Sequence, residues 1–238
     1  MLSVGILSHF APHTLEKTLI SYKKHGLFEL SDDIFAVLQL SNRQEEEKII
    51  CDKFNVRSIC LDDNGRMGSG FKAIYENARH EYILFLENDF EINEENETKE
   101  FIENSMYFIK EMNVDVVRGR SRKNPGEPNF ALHVKNLSSH LSECIYYIDD
   151  PEIIHPTKIY RIKPKIGDKK WYTSTSEFCN YTNNPYICSK IFFEKTVLPY
   201  CIFGCNIEND LTYIWSKNTY KCVYGPGLFT HYRLDGHS

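Results

Sequence analysis

The stretch YILFLENDFEI, residues 82–92, decides the fold. Tyr82 to Leu86 is an unbroken apolar run of strand length, the pattern of a strand covered on both faces in a parallel sheet. Its end carries Glu87, Asn88, Asp89 and Glu91. Carboxylates crowded at the tip of a buried strand repel one another, which costs stability unless a cation or hydrogen-bond donors compensate.

Working outward, the same strand and helix rhythm repeats. SVGIL is a short apolar strand, and TLEKTLISYKKHG follows with Leu15, Leu19 and Tyr22 on one helical face and Gly26 placed to end it. IFAVLQL is a second strand, after which Asn42 and Glu45 predict a capping-box start to a helix carrying Ile49, Ile50 and Phe54. VRSICL is a third strand. Phe71, Ile74, Tyr75 and Ala78 then recur at i, i+3, i+4 and i+7, an amphipathic helix leading into Tyr82. Phe101, Ile102, Ile109 and Met112 mark another helix, and VDVVRG a fifth strand. This alternation implies right-handed crossovers and a mostly parallel sheet with helices on both faces. Ligands bind such sheets beyond the carboxyl ends of the strands, which is where Glu87, Asn88 and Asp89 fall.

From residue 120 to 185 the rhythm is lost in Pro, Asn, Ser and charge, with short pieces such as TKIYRI. This region reads as the far edge of the sheet plus long loops. Order returns with PYICSKIFFEKTVLPY, and NIENDLTYIWSK predicts a helix with Leu211, Ile214 and Trp215 facing inward.

Bulk composition excludes several classes. The 238 residues are 42% apolar, enough for one domain with a real core. A formal charge of -5 leaves no basic footprint for nucleic acid. No apolar run approaches the ~20 residues of a membrane span, and the N-terminus lacks the pattern of a signal peptide, so the expectation is a cytoplasmic protein. The eight cysteines then read as buried thiols. A zinc site from Cys179, Cys188, Cys201 and Cys205 has no standard spacing behind it.

Four constellations can carry chemistry. Glu87, Asn88 and Asp89 suit a hard cation, Mg²⁺ or Mn²⁺, which takes one or two carboxylates and completes its shell with phosphate oxygens. Glu208 and Asp210 lie in the first turn of a predicted helix with Asn206 as cap. Acids are favoured there by the dipole alone, and a carboxylate there is also a candidate general base. His231 and Arg233 alternate near the C-terminus, so in an extended segment both face one way, toward a metal and a phosphate. LDDNGRMGSGFK is Gly-rich without the residues of a Walker loop, and reads as a place where backbone approaches a nucleotide.

In this order the pieces resemble the GT-A glycosyltransferases, particularly the large inverting family 2. VGILSHFAPHTLEKTL resembles that family's opening strand, loop and helix. NGRMGSGFKAIYENARHEYILFLENDFEI resembles its Asn/Gly-rich loop, helix and strand ending in Asp-x-Asp. IENDLTYIW resembles the helix carrying the base, and GPGLFTHYR the C-terminal segment that closes on the diphosphate. The Asn-, Ile-, Lys- and Tyr-rich flavour is also similar to glycosyltransferase domains of large algal DNA viruses, which would place the protein in host cytoplasm.

The resemblance implies a single GT-A domain over residues 1–238, with a nucleotide-sugar half at 1–118 and an acceptor and catalytic-base half at 119–238. It implies Asp89 as metal ligand with His231 nearby, and Glu87 on the ribose or a metal-bound water. Ser8 and His9 would lie along the nucleoside, with Asp62 or Asp63 facing the base and Asn88 and Arg233 on the donor. Glu208 falls at the family's base position and Asp210 at a second acid, so the two are interchangeable at this point. The partners implied are a nucleotide-sugar donor, most simply a UDP-sugar, and a glycan acceptor. Oligomeric state is not legible. The chain departs from the family in starting the signature with Glu. It also ends the second strand in QLSN, so that Gln39 or Ser41 must replace an Asp pair. It lacks Gln-x-x-Arg-Trp, which argues against a processive synthase. The rival readings are a sugar-phosphate nucleotidyltransferase, whose N-terminal Gly-rich loop is missing, and a non-catalytic carbohydrate-binding protein on the same fold.

Overall fold

In the central strand β4 (Tyr82–Glu87) side chains alternate between two faces of the sheet, and each face has its own core. A computed structural model describes residues 1–92, 97–126 and 148–235. Its strands form one ten-stranded sheet. In chain order the elements are β1 (Leu2–Ser8), α1 (Pro12–Lys24), β2 (Asp33–Leu38), α2 (Gln44–Lys53), β3 (Arg57–Cys60) and α3 (Arg66–Asn77). After β4 come β5 (Phe90–Ile92), α4 (Thr98–Glu111), β6 (Val116–Arg120), α5 (Pro151–Ile154), β7 (Tyr160–Ile162) and β8 (Trp171–Thr175). The chain closes with β9 (Tyr186–Ser189), α6 (Lys190–Thr196), a 3-10 turn (Leu198–Tyr200), α7 (Ile207–Trp215) and β10 (Lys221–His231).

Ile83 and Phe85 join Phe71 and Ile74 of α3, Phe193 of α6 and Leu211 and Trp215 of α7. Leu84 and Leu86 join Leu15 and Leu19 of α1, Cys51 of α2 and Phe101 and Phe108 of α4. Each buried aliphatic or aromatic side chain contributes about 1.5–3 kcal/mol before chain entropy is set against it. The two-sided burial explains why β4 is apolar at every position up to Leu86.

The strand order is β3-β2-β1-β4-β9-β6-β10-β8-β7, with β5 pairing β10. β1, β2, β3 and β4 are parallel, as the sequence predicts. The other half is mixed. β9 runs antiparallel between β4 and β6, so the fourth and fifth predicted strands are not neighbours. The far edge, β8 and β7, is antiparallel and drawn from residues 160–175, where the sequence predicted an edge. Residues 127–147, part of the expected acceptor side, lie outside the described residues.

One local expectation fails. α2 starts at Gln44 behind Arg43 with no side-chain cap, because Ser41 Oγ accepts the Arg43 amide and the Arg43 side chain reaches Glu46 and Asp235. Ile49 on that helix is 61% exposed. Gly68 and Gly70 of the 61–72 segment are required by packing. A side chain on Gly70 would strike Leu7, and one on Gly68 would strike the backbone of Ile202, so α3 and the loop before α7 touch backbone to backbone. Among the described residues the cysteines are free thiols, and no His, Cys, Asp or Glu group of three or more is placed to hold a metal, Cys179, Cys188, Cys201 and Cys205 included. No helix among the described residues is long and apolar enough to cross a membrane.

Candidate active site

Glu87 follows Ile83 and Phe85 at every second residue of β4, so it leaves the strand on the face of α3 and α7, where Glu208 also lies. It is half-buried on a crevice of about 190 Å³ lined by Leu7, His9, Gln39, Met67, Glu87, Asn88 and Arg233. The crevice sits beyond the carboxyl ends of β1, β2 and β4, as this sheet type requires. Burial first, then the charges of Asp89 and Glu208, push the Glu87 carboxyl well above its ordinary range, against the pull of Arg233. The structure therefore brings three predicted acids into one electrostatic unit.

Asp89 sits in the turn that follows β4 and is 4% exposed. Its Oδ2 meets His231 Nε2 at 3.1 Å and Arg233 Nη1 at 3.5 Å. Burial alone would raise its pKa. The His231 hydrogen bond and the positive charges of His231 and Arg233 outweigh burial and lower it. The predicted alternation of His231 and Arg233 thus places both on one carboxylate. Asp89 Oδ1 is buried and accepts no hydrogen bond. One buried oxygen without a donor, next to a second carboxyl whose ionisation is suppressed by burial and then by negative neighbours, fits a divalent cation that draws the rest of its shell from diphosphate and water.

Glu208 stands in the first turn of α7. Asn206 caps that helix, its side chain accepting the Glu208 amide at 3.1 Å, as predicted. Glu208 Oε1 accepts the Asn183 amide at 2.6 Å. Asp210 is exposed and meets the Cys205 thiol instead. Two residues apart on a helix, the acids point about 200° from each other.

The nucleoside-side residues divide. His9 lines the crevice, with Nε2 2.9 Å from Asn64 Nδ2, and its ring also bonds the Leu40 backbone. Burial, then Arg233, lowers its pKa. Gln39 is buried at the end of β2 and its Oε1 has no partner. Ser8 does not line the crevice. It is buried, donating to Glu47 Oε1 at 2.5 Å and accepting from Asn88 Nδ2 at 2.8 Å. Asp62 and Asp63 are exposed in the turn after β3 and do not line the crevice either. Glu47, Asn64, Met67 and Asn183 were not singled out by sequence. Glu47 hides in the solvated-looking run Glu45–Glu47, and Asn183 acts through its backbone.

Asp235 was also missed. Its side chain is 5% exposed and accepts from His13 Nδ1, Thr14 N and Thr14 Oγ1 at 2.8 Å each and Arg43 Nη1 at 3.0 Å. Burial would raise its pKa, but these donors hold it down at about 2. It thereby ties the segment carrying Arg233 to the start of α1. A carboxyl lowered this far stabilises the folded state above its unfolded pKa and loses that contribution as pH falls toward about 2. Asp235→Asn is expected to cost ~2 kcal/mol at pH 7. The gap from the parent protein, measured by urea unfolding, should close between about pH 4 and pH 2.

No model of a known family matches the sequence, and no curated protein is similar to it in sequence. Solved structures are similar in fold. S. aureus TarS superposes with a TM-score of 0.58 at 12% identity, over 97% of this chain and 36% of TarS. Its fragment 1–349 in complex with UDP gives 0.59 at 13% identity, over 96% of this chain and 59% of the fragment. Glucosyl-3-phosphoglycerate synthase from Mycobacterium tuberculosis, in complex with Mn²⁺ and UDP-glucose, gives 0.55 at 10% identity, over 99% of this chain and 72% of the synthase. This chain therefore spans about a third of TarS and under three quarters of the synthase. The fold is the GT-A fold, a mixed α/β sheet flanked by helices.

Proposed function

We propose that this chain is a metal-dependent, inverting glycosyltransferase that moves a sugar from a nucleoside-diphosphate sugar, most simply a UDP-sugar, to an acceptor hydroxyl. The observation that carries the reading is a crevice at the carboxyl ends of the strands of a GT-A fold, lined by Glu87 and Arg233, with Asp89 paired to Arg233 and His231 and with the charge of Glu208 felt at Glu87. Two neighbours in fold support the donor class, because one was solved with UDP and the other with Mn²⁺ and UDP-glucose.

Asp89, with His231 beside it, would hold Mn²⁺ or Mg²⁺, which when bound would act as a Lewis acid on the diphosphate, and Glu87 would face the ribose or a metal-bound water. Arg233 places positive charge where negative charge grows on the leaving group. Glu208 is the general base. Asn183 holds its Oε1, leaving Oε2 to take the acceptor proton. The acceptor oxygen bonds the anomeric carbon as the bond to the diphosphate oxygen breaks, and the electron pair leaves with that oxygen. Attack from the side opposite the leaving group inverts the anomeric configuration. His9 and Gln39 form the nucleoside end of the crevice.

A thermal-shift panel of nucleotide sugars, with and without Mn²⁺, tests the donor reading. Stabilisation grows as the logarithm of ligand over Kd, so ligand at 100 Kd is expected to add ~2.7 kcal/mol. UDP-sugars should stabilise only with Mn²⁺ present. NMR of the product anomer tests inversion. Stabilisation by a nucleoside triphosphate and a sugar phosphate instead would favour a nucleotidyltransferase. Donor binding without any transfer or donor hydrolysis would favour a binding protein.

A further inference from the structure

Glu47 is fully buried in the first turn of α2, although Glu45 and Glu46 beside it are exposed. A buried carboxylate is costly unless donors surround it, and here three do. Its Oε1 accepts the Ser8 hydroxyl at 2.5 Å and the Ala11 amide at 3.2 Å, and the Phe10 amide also donates to it. These amides open α1, where unpaired N–H groups and the helix dipole favour an anion.

The hydroxyl proton of Ser8 is committed to Glu47, so its oxygen is left to accept, and Asn88 Nδ2 donates to it at 2.8 Å. Asn88 is anchored at its backbone too. Its N–H donates to Leu7 O at 2.9 Å and its carbonyl accepts Thr18 Oγ1 at 2.7 Å. Asn88 is the residue between Glu87 and Asp89. A continuous buried chain, Glu47–Ser8–Asn88, thus runs from α2 through the end of β1 to the peptide that joins the two carboxylates. The same Glu47 fixes the turn carrying His9, in which Phe10 takes the left-handed φ of 55°.

We propose that Glu47 is a positioning residue for this crevice. Through Ser8 and Asn88 it sets the separation of Glu87 and Asp89, and through the amides of Phe10 and Ala11 it sets the place of His9. The affinity of the crevice for a divalent cation and a nucleoside diphosphate then depends on a side chain that touches neither. This rests on reading the crevice as the donor site. Groups that orient metal-binding carboxylates from behind are worth ~10–100-fold in metal affinity or activity.

The test uses the whole chain and Mn²⁺ as probe, with free Mn²⁺ followed by electron paramagnetic resonance with and without UDP. Ser8→Ala breaks the chain at its middle. Glu47→Met keeps the length of the side chain but removes the acceptor of the Ser8 hydroxyl and of the Ala11 amide. Both are expected to weaken Mn²⁺ binding in the presence of UDP by at least ~10-fold while circular dichroism stays native. Ser8→Thr, which keeps the hydroxyl, should restore most of it. Cys51→Ala thins the packing under the same helix without touching the chain, so it should lower Tm and leave Mn²⁺ affinity unchanged. Native-like Mn²⁺ and UDP binding by Ser8→Ala and Glu47→Met would overturn the proposal and leave the donor site standing. An equal loss in Cys51→Ala would also overturn it, as affinity would then merely follow stability. Absence of Mn²⁺ and UDP binding in the parent protein would overturn both the donor site and the proposal.

Discussion

Glu208→Gln is expected to lower kcat by at least ~10²-fold, the scale of losing a general base, while donor and metal binding persist. The substitution keeps the shape, the Asn206 cap and a carbonyl oxygen for the Asn183 amide, and removes only basicity. It has a second consequence. The charge of Glu208 is one of the causes that raise the Glu87 pKa, so its removal makes Glu87 easier to ionise. Mn²⁺ affinity should therefore hold or rise as kcat falls, a split that general damage to the fold would not produce. Asp210→Asn is the comparison. Asp210 is exposed beside Cys205, and its loss should leave kcat near the parent value with a small loss of helix-terminus stabilisation. UDP release and calorimetric titration measure both halves. If Asp210→Asn is the inactive variant and Glu208→Gln turns over normally, the base has been assigned to the wrong acid. Normal turnover by both would remove the base from the mechanism.

Asp89→Asn should abolish divalent-metal dependence and activity together, because it removes the carboxylate whose buried Oδ1 accepts no hydrogen bond. From its place at a strand end, sequence predicts that this variant folds as well as the parent. The structure corrects that. Asp89 is 4% exposed and holds His231 and Arg233, so neutralising it takes the charged acceptor away from both. The expected cost is roughly 1–3 kcal/mol, larger than for a surface carboxylate. Its sign with pH follows from the lowered pKa. The ion pairs contribute above the unfolded pKa and are lost as pH falls through the folded value, so variant and parent should converge in acid. Mn²⁺ binding, UDP release and urea unfolding of the same preparation test all three statements. A variant that retains metal-dependent turnover would take the metal away from Asp89.

The legible part of the site was the part written in local pattern. The apolar run of β4 ending in carboxylates located the crevice. The alternation of His231 and Arg233 anticipated that both reach one side, because an extended segment leaves them no other choice. Asn206 as cap of α7 was readable from the run into Leu211 and Trp215. Several positions were misread for a common reason. Ser8 at a strand end looks like a ligand contact, but whether it faces the crevice or the core depends on Glu47, which is 39 positions away. Asn42 and Glu45 have capping-box spacing, yet Arg43 is drawn to Glu46 and Asp235, and the helix begins at Gln44.

By itself the sequence determined the class of the sheet, its four parallel strands and the strand end beyond which the crevice opens. These follow from periodicity and from burial on two faces, which act over a few residues. Only the tertiary structure decided that β9 enters antiparallel between β4 and β6, and that Glu208 rather than Asp210 shares a charge environment with Glu87. It alone tied Asp235 across the start of α1 and joined Glu47 to Asn88. Each of these pairs residues far apart in the chain. Their interaction energies depend on distance and desolvation, quantities that exist only once the sheet has closed around them.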